Sequence, residues 1–79
     1  MNAIEAILKA IERGPEHVSA TLLALAVSKE VITLEEAENL AAAALNDPQT
    51  ICEALAPMME KAGLMTQEQV VRILGGEPS

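Results

Sequence analysis

Ile4, Ile7, Leu8 and Ile11 recur at three- and four-residue intervals, and Glu5, Lys9, Glu12 and Arg13 fill the positions between them. That spacing puts the four apolar side chains on one face of a helix over Ala3–Arg13. Asn2 stands before it as a cap, with Glu5 placed to reach back, and Glu5–Lys9 is a favourable i,i+4 pair. Gly14–Pro15 ends the helix, since Gly permits a left-handed turn and Pro suits the first position of the next helix. The second helix is predicted over Pro15–Lys29. Val18, Leu22, Leu25 and the stem of Lys29 form its stripe, and Leu23, Ala26 and Val27 widen it. A helix apolar on nearly all sides belongs at the centre of a fold.

Thr33-Leu34-Glu35-Glu36 reads as a capping box, with Ile32 placed to staple onto Ala37. The third helix is predicted from Thr33 to Leu45, with a thin buried face of Ala37, Leu40, Ala41 and Ala44. Small side chains on such a face let helices approach closely. Asp47 caps a fourth helix that starts at Pro48 and runs to Lys61. Its expected core residues are Ile51, Leu55, Met58, Met59 and Ala62. Pro57 inside it lacks the N–H that would bond Glu53, so a kink or break is expected there. Gly63 ends that helix. Met65-Thr66-Gln67-Glu68-Gln69 repeats the staple and capping box, opening a fifth helix to Leu74 that buries Val70, Ile73 and Leu74.

Pro15–Ala41 overlies Pro48–Leu74 at an offset of 33 residues. Pro15/Pro48, Leu22/Leu55, Thr33/Thr66 and Glu35/Glu68 are identical, and apolar residues coincide at Val18/Ile51, Ile32/Met65 and Ala37/Val70. A tandem repeat and a chance phasing of short capped helices both account for this. The expected fold is all-α: five short helices in series, as two helical-hairpin units of about 33 residues plus a terminal helix. They would form a compact orthogonal bundle or a short helical-repeat stack. Residues 1–74 make one domain, and residues 75–79 a flexible tail.

The chain has 79 residues and no Phe, Tyr or Trp. A domain this small buries only about 60% of the surface its unfolded chain exposes. Its core must be Leu, Ile, Val, Ala and Met; either that small core suffices, or a second copy or a partner closes part of the apolar surface, and the second is expected. Twelve acids against five bases give a net charge of −7, which opposes direct binding to nucleic acid or an anionic membrane. No apolar run approaches the ~18 residues of a membrane span. The amphipathic, mixed-charge start lacks the pattern of a secretory signal. A cytoplasmic protein is expected.

Candidate chemistry is sparse. Glu30, Glu35, Glu36 and Glu38 cluster around the start of the third helix, where its dipole favours anions. They also offer a docking face to a basic partner. Met58, Met59 and Met65 suit core packing, or adaptable partner contact in the case of Met58 and Met59. His17, the one histidine, has no evident partner for acid–base work. Cys52, the one cysteine, sits near a helix start that could lower its pKa, although a small core residue is its commoner role. A Cys52–His17 dyad is the only enzymatic constellation on offer. No zinc-ligand set, EF-hand loop, phosphate-binding loop or nucleophile elbow is present, so no metal, cofactor or catalytic residue is assigned.

Length, acidity and helix count resemble acyl carrier proteins. Their prosthetic-group serine stands in Asp-Ser-Leu, however, and the nearest serine here reads His17-Val18-Ser19-Ala20. The segment Ala62–Gly75 resembles the opening helix of repressor-type helix-turn-helix domains, but no recognition helix follows. Ala26–Leu40 is loosely similar to such a motif, with Glu35, Glu36 and Glu38 where DNA readers carry neutral or basic side chains. The turn-Leu/Ile-Thr-Glu phrase resembles short helical-hairpin oligomerisation modules. None of these assigns a family. The expected function is a non-catalytic helical protein-interaction or assembly module. It would bind a protein partner, to which basic character is suited, and self-associate as a homo-oligomer. Self-association would run through the Ala-rich third or Met-bearing fourth helix, and the partner contacts would be Glu30, Glu35, Glu36, Glu38, Met58 and Met59. The alternative is an acidic inhibitor that mimics nucleic acid and binds a basic nucleic-acid-binding protein.

Overall fold

The computed structural model describes residues 2–75, and all its regular elements are helices. They are α1 (Ala3–Arg13), α2 (Pro15–Ser28), α3 (Leu34–Ala44), α4 (Pro48–Lys61) and α5 (Gln67–Ile73). The expected bounds of α2, α3 and α5 move inward by a residue at ends where a capping residue had been counted as helix. Residues 76–79 of the expected tail lie outside the described residues.

The starts are fixed by local chemistry. The Asn2 side chain accepts the Glu5 N–H at 2.8 Å. Glu5 reaches back to the Asn2 side-chain amide, at 3.5 Å, and not to its backbone N–H. Thr33 and Glu36 close a full capping box at 3.1 and 2.9 Å, and Thr66 and Gln69 close another at 3.2 Å in both directions. Asp47 accepts from the Thr50 N–H at 3.2 Å and from its hydroxyl at 2.6 Å. Each cap satisfies donors that the first turn leaves unpaired.

The 33-residue echo extends into the hydrogen bonds that end the helices. After α2, Lys29, Glu30 and Val31 donate to Leu25, Val27 and Ala26. After α4, Ala62, Gly63 and Leu64 donate to Met58, Glu60 and Met59, the same pattern moved by 33 positions. Glu30 and Gly63, which correspond, both have a left-handed backbone, with φ of 60° and 82°. Burial repeats as well. Val18/Ile51, Ser19/Cys52, Leu22/Leu55, Leu23/Ala56, Ala26/Met59, Ile32/Met65 and Ala37/Val70 are buried in both copies. The α2–α3 and α4–α5 hairpins are therefore one structural unit used twice.

The principal helix contact is α2 against α4, the two equivalent helices. Leu22 and Leu55 are fully buried in the shared core, and Ala26 and Ala56 keep it thin enough for close approach. α1 packs on α2 and touches α5, which closes the arrangement. The Cα radius of gyration is 11.3 Å, against about 11–12 Å for a globular chain of this length, so the units fold together and do not extend as an open stack. Two glutamine amides tie down the short α5. Gln69 donates to the Ile4 carbonyl at 2.9 Å and Gln49 to the Ile73 carbonyl at 2.6 Å.

Four expectations are corrected. Met58 and Ala62 of α4 and Leu74 of α5, expected in the core, are exposed, because each faces away from the neighbouring helices. α4 continues unbroken through Pro57. Pro57 and Glu53 are both exposed, so water can take the place of the lost bond at the Glu53 carbonyl. The face of α1 is only partly covered: Ile7 and Ala10 are buried, Ile11 is half-buried, and Ile4 and Leu8 are exposed. Finally, α3 buries Ala37 alone, leaving Leu40 and Ala44 half-buried and Ala41 exposed. Helices pack on one side of α3, and none of the described residues covers the other.

Candidate functional site

The uncovered side of α3 and the adjoining side of α2 form a groove. One end of it is a cleft of about 340 Å³ between Glu16, Ser19, Ala20 and Leu23 of α2 and Ala41, Ala44 and Leu45 from the end of α3. The next cleft shares Leu23 and Ala41 with it and adds Ala24 and Val27 of α2 and Leu34, Ala37 and Glu38 of α3. A third shares Val27 and Leu34 and reaches Glu30, Thr33 and Glu36. The start of α2 lies beside the end of α3 and the reverse, so the walls run antiparallel along one channel.

The floor of this channel is small and apolar, and its borders hold large apolar side chains in water. Leu34 is 66% exposed and Leu45 is 87% exposed. Leu34, Ala37, Ala41 and Leu45 fall at helical spacing and face the same way as the α2 stripe of Ala20, Leu23, Ala24 and Val27. The four glutamates Glu16, Glu30, Glu36 and Glu38 line the channel, and no Lys, Arg or His does. Glu36 is engaged in its capping box, where the Thr33 N–H, then the Thr33 hydroxyl, hold its carboxyl below the usual carboxylate range.

Of the contacts expected from sequence, Glu30, Glu36 and Glu38 come together on this groove. Glu35 is exposed on the first turn of α3 but does not line it. Met58 is 40% exposed on α4, away from the groove, and Met59 is fully buried in the core, so Met59 has no surface to offer a partner. Sequence reasoning missed Glu16, Ala20, Ala24, Leu34 and Leu45. The signal lay in the repeat. Ala20, Val27 and Leu34 correspond to Glu53, Glu60 and Gln67, so one copy carries apolar residues where the other carries polar ones. Glu53, Glu60 and Gln67 are all exposed.

Cys52 is fully buried and its thiol donates to the Pro15 carbonyl at 3.5 Å. Burial pushes its pKa up to about 11, which is the reverse of the activation that a helix start could supply. His17 is exposed, and the thiol points to a carbonyl and not to an imidazole. Among the described residues no three His, Cys, Asp or Glu side chains gather in a way that could hold a metal ion. Nor is any described helix long and apolar enough to cross a membrane.

No protein-family model, curated protein or solved structure matches this chain.

Proposed function

We propose that this chain is a non-catalytic protein-interaction module whose contact surface is the α2–α3 groove. The observation that carries the reading is the contrast between its two copies of one hairpin. The α4–α5 copy shows that the hairpin folds with Glu53, Glu60 and Gln67 in water. Ala20, Val27 and Leu34 at the matching positions are therefore not required by the hairpin itself. Apolar side chains held in water beside a channel gain free energy when a partner removes them from it, at roughly 25 cal/mol per Å². The raised pKa of Cys52 and the exposed, isolated position of His17 favour a surface for contact over one for reaction.

The acidic-inhibitor reading has the four groove glutamates in its favour. A mimic of a nucleic-acid backbone, however, would present charge as its principal contact, whereas here the charge borders an apolar channel. Site-specific photocrosslinking in the cell of origin tests the proposal. A photoreactive residue at position 24, in the groove, should give discrete adducts to protein. One at position 53, the exposed control on α4, should not. Equal labelling from both positions, or none from position 24, would show that the groove is not an interaction surface.

A further inference from the structure

We infer that the α2–α3 groove takes an amphipathic helix with basic flanks, contributed by a partner protein and not by a second copy of this chain. The inference rests on the interaction-module reading and adds the chemistry of the occupant. Three observations carry it.

The first is shape. Two antiparallel helices with Ala20, Ala24 and Ala41 between them leave a shallow channel. From Leu34 to Leu45 the channel is ~17 Å long at 1.5 Å per residue, or about three helical turns. A third helix fits such a channel, because small residues allow its backbone to approach to the near end of the 8–10 Å range of helix packing. Leu34 and Leu45 would then border its apolar stripe.

The second is charge. Glu16, Glu30 and Glu38 flank the channel with carboxylates that have no protein hydrogen-bond partner among the described residues, and no base lines it. Other clefts on the molecule do contain bases: Arg72 in one, Lys29 in another. A helix with Lys or Arg beside its apolar stripe meets this rim with complementary charge. A helix with acidic flanks meets like charge on both sides.

The third concerns self-association. Two copies placed groove to groove would face glutamate rim with glutamate rim and have no base on either side. Each chain also carries a net charge of −7. Apolar gain would have to overcome that repulsion, whereas a basic helix adds attraction to the same gain.

The test uses the whole chain and three synthetic helical peptides of ~16 residues, somewhat longer than the channel. One has a Leu/Ala stripe with Lys on both flanks. The second has the same stripe with Glu flanks. The third keeps the Lys flanks but has Gln throughout the stripe. Binding is followed by calorimetry, its location by NMR amide shifts, and the state of the protein alone by sedimentation.

Only the first peptide should bind, with shifts confined to α2 and α3. Raising salt from ~50 mM to ~500 mM should weaken it markedly, because rim charges are screened over a few ångströms at high ionic strength. The double variant Glu16→Gln/Glu38→Gln should weaken it by about three- to tenfold. Ala41→Lys, which places a long cation in the channel on an exposed helical position, should abolish it. Circular dichroism of each variant confirms the fold.

Equal binding of the Glu-flanked peptide, salt-insensitive binding, shifts mapping away from the groove, or no binding overturns the assignment. So does dimerisation of the free chain through the groove. Crosslinks from position 24 together with any of these results would overturn the basic helix alone. No crosslinks and no peptide binding would remove the interaction-module reading as well.

Discussion

Glu30 is a side-chain-bearing residue in a backbone conformation that suits glycine, and the chain contains its own control. Glu30 has φ of 60°, and Gly63, its counterpart 33 residues later, has φ of 82° in the same hydrogen-bonded helix end. A left-handed conformation costs a residue with a Cβ about 1–2 kcal/mol. Glycine avoids that cost, but its freer unfolded chain returns about 0.5–1 kcal/mol. Glu30→Gly should therefore stabilise the fold by about 0.5–1 kcal/mol, which raises Tm by roughly 2–8 °C in a domain of this size. The reverse change, Gly63→Ala, should cost about 1 kcal/mol. A Cβ at Gly63 meets no atom within 4 Å, so that loss has no steric contribution from neighbours. Thermal and urea unfolding followed by circular dichroism would measure both. Glu30→Gln removes the same charge while keeping the Cβ, and should stay within about 0.5 kcal/mol of the parent, as for most exposed substitutions. Glu30→Asn should fall between Gln and Gly, since Asn visits the left-handed region more readily. If Glu30→Gly is no more stable than Glu30→Gln, the gain came from charge and the backbone argument is refuted. A Gly63→Ala protein as stable as the parent would refute it from the other side.

Four further outcomes are expected. Leu55→Ala should cost about 2–5 kcal/mol, because that side chain is fully buried. Leu45→Ser, at 87% exposure, should stay within about 0.5 kcal/mol of the parent in the same urea titration. Cys52 should resist thiol reagents until the chain opens, and stability should fall at alkaline pH. Its pKa is raised in the fold from an ordinary 9.0 to about 11, so its contribution is complete below the unfolded value and is lost as pH rises through the folded one, by ~3 kcal/mol at most. Cys52→Ala should flatten that alkaline slope, and an unchanged slope would count against the assignment. Glu36 has the opposite sign. Its lowered pKa gives a contribution that is full above the ordinary carboxylate range and fades as pH falls through the depressed value. Glu36→Gln keeps the acceptor, as Gln69 does in the matching capping box, and should reduce the acid dependence of Tm.

Helix positions were legible because they depend on neighbours in sequence. Thr33 with Glu36, Thr66 with Gln69, and Asp47 before Pro48 each fix a helix start within four residues. What a helix buries depends on which helices arrive beside it, and that was harder to read. The alanines of α3 resembled a buried face by periodicity, yet only Ala37 is covered. Met58 and Met59 were equivalent in type, and the turn of α4 decided that one enters the core and the other does not. Gln69 was legible as the back-reaching half of a cap. Its second bond, to the Ile4 carbonyl, spans 65 residues of sequence and has no local signature.

The two hairpins also differ in what lies against them. α5 is held to α4 within the second hairpin by Gln49, and Gln69 bonds that hairpin to α1. In the first hairpin the residue equivalent to Gln69 is Glu36, a carboxylate that can accept its cap bond but has no proton to donate onward. Nor is there a third helix among the described residues for it to reach on that side. The same local code has thus produced one hairpin bonded to α1 through a side chain and one whose groove side is left apolar and in water. A small aliphatic core has little stability to spare, and exposing leucines does not add to it. On the proposed reading, the apolar face of the first hairpin would contribute most once another helix lies along it.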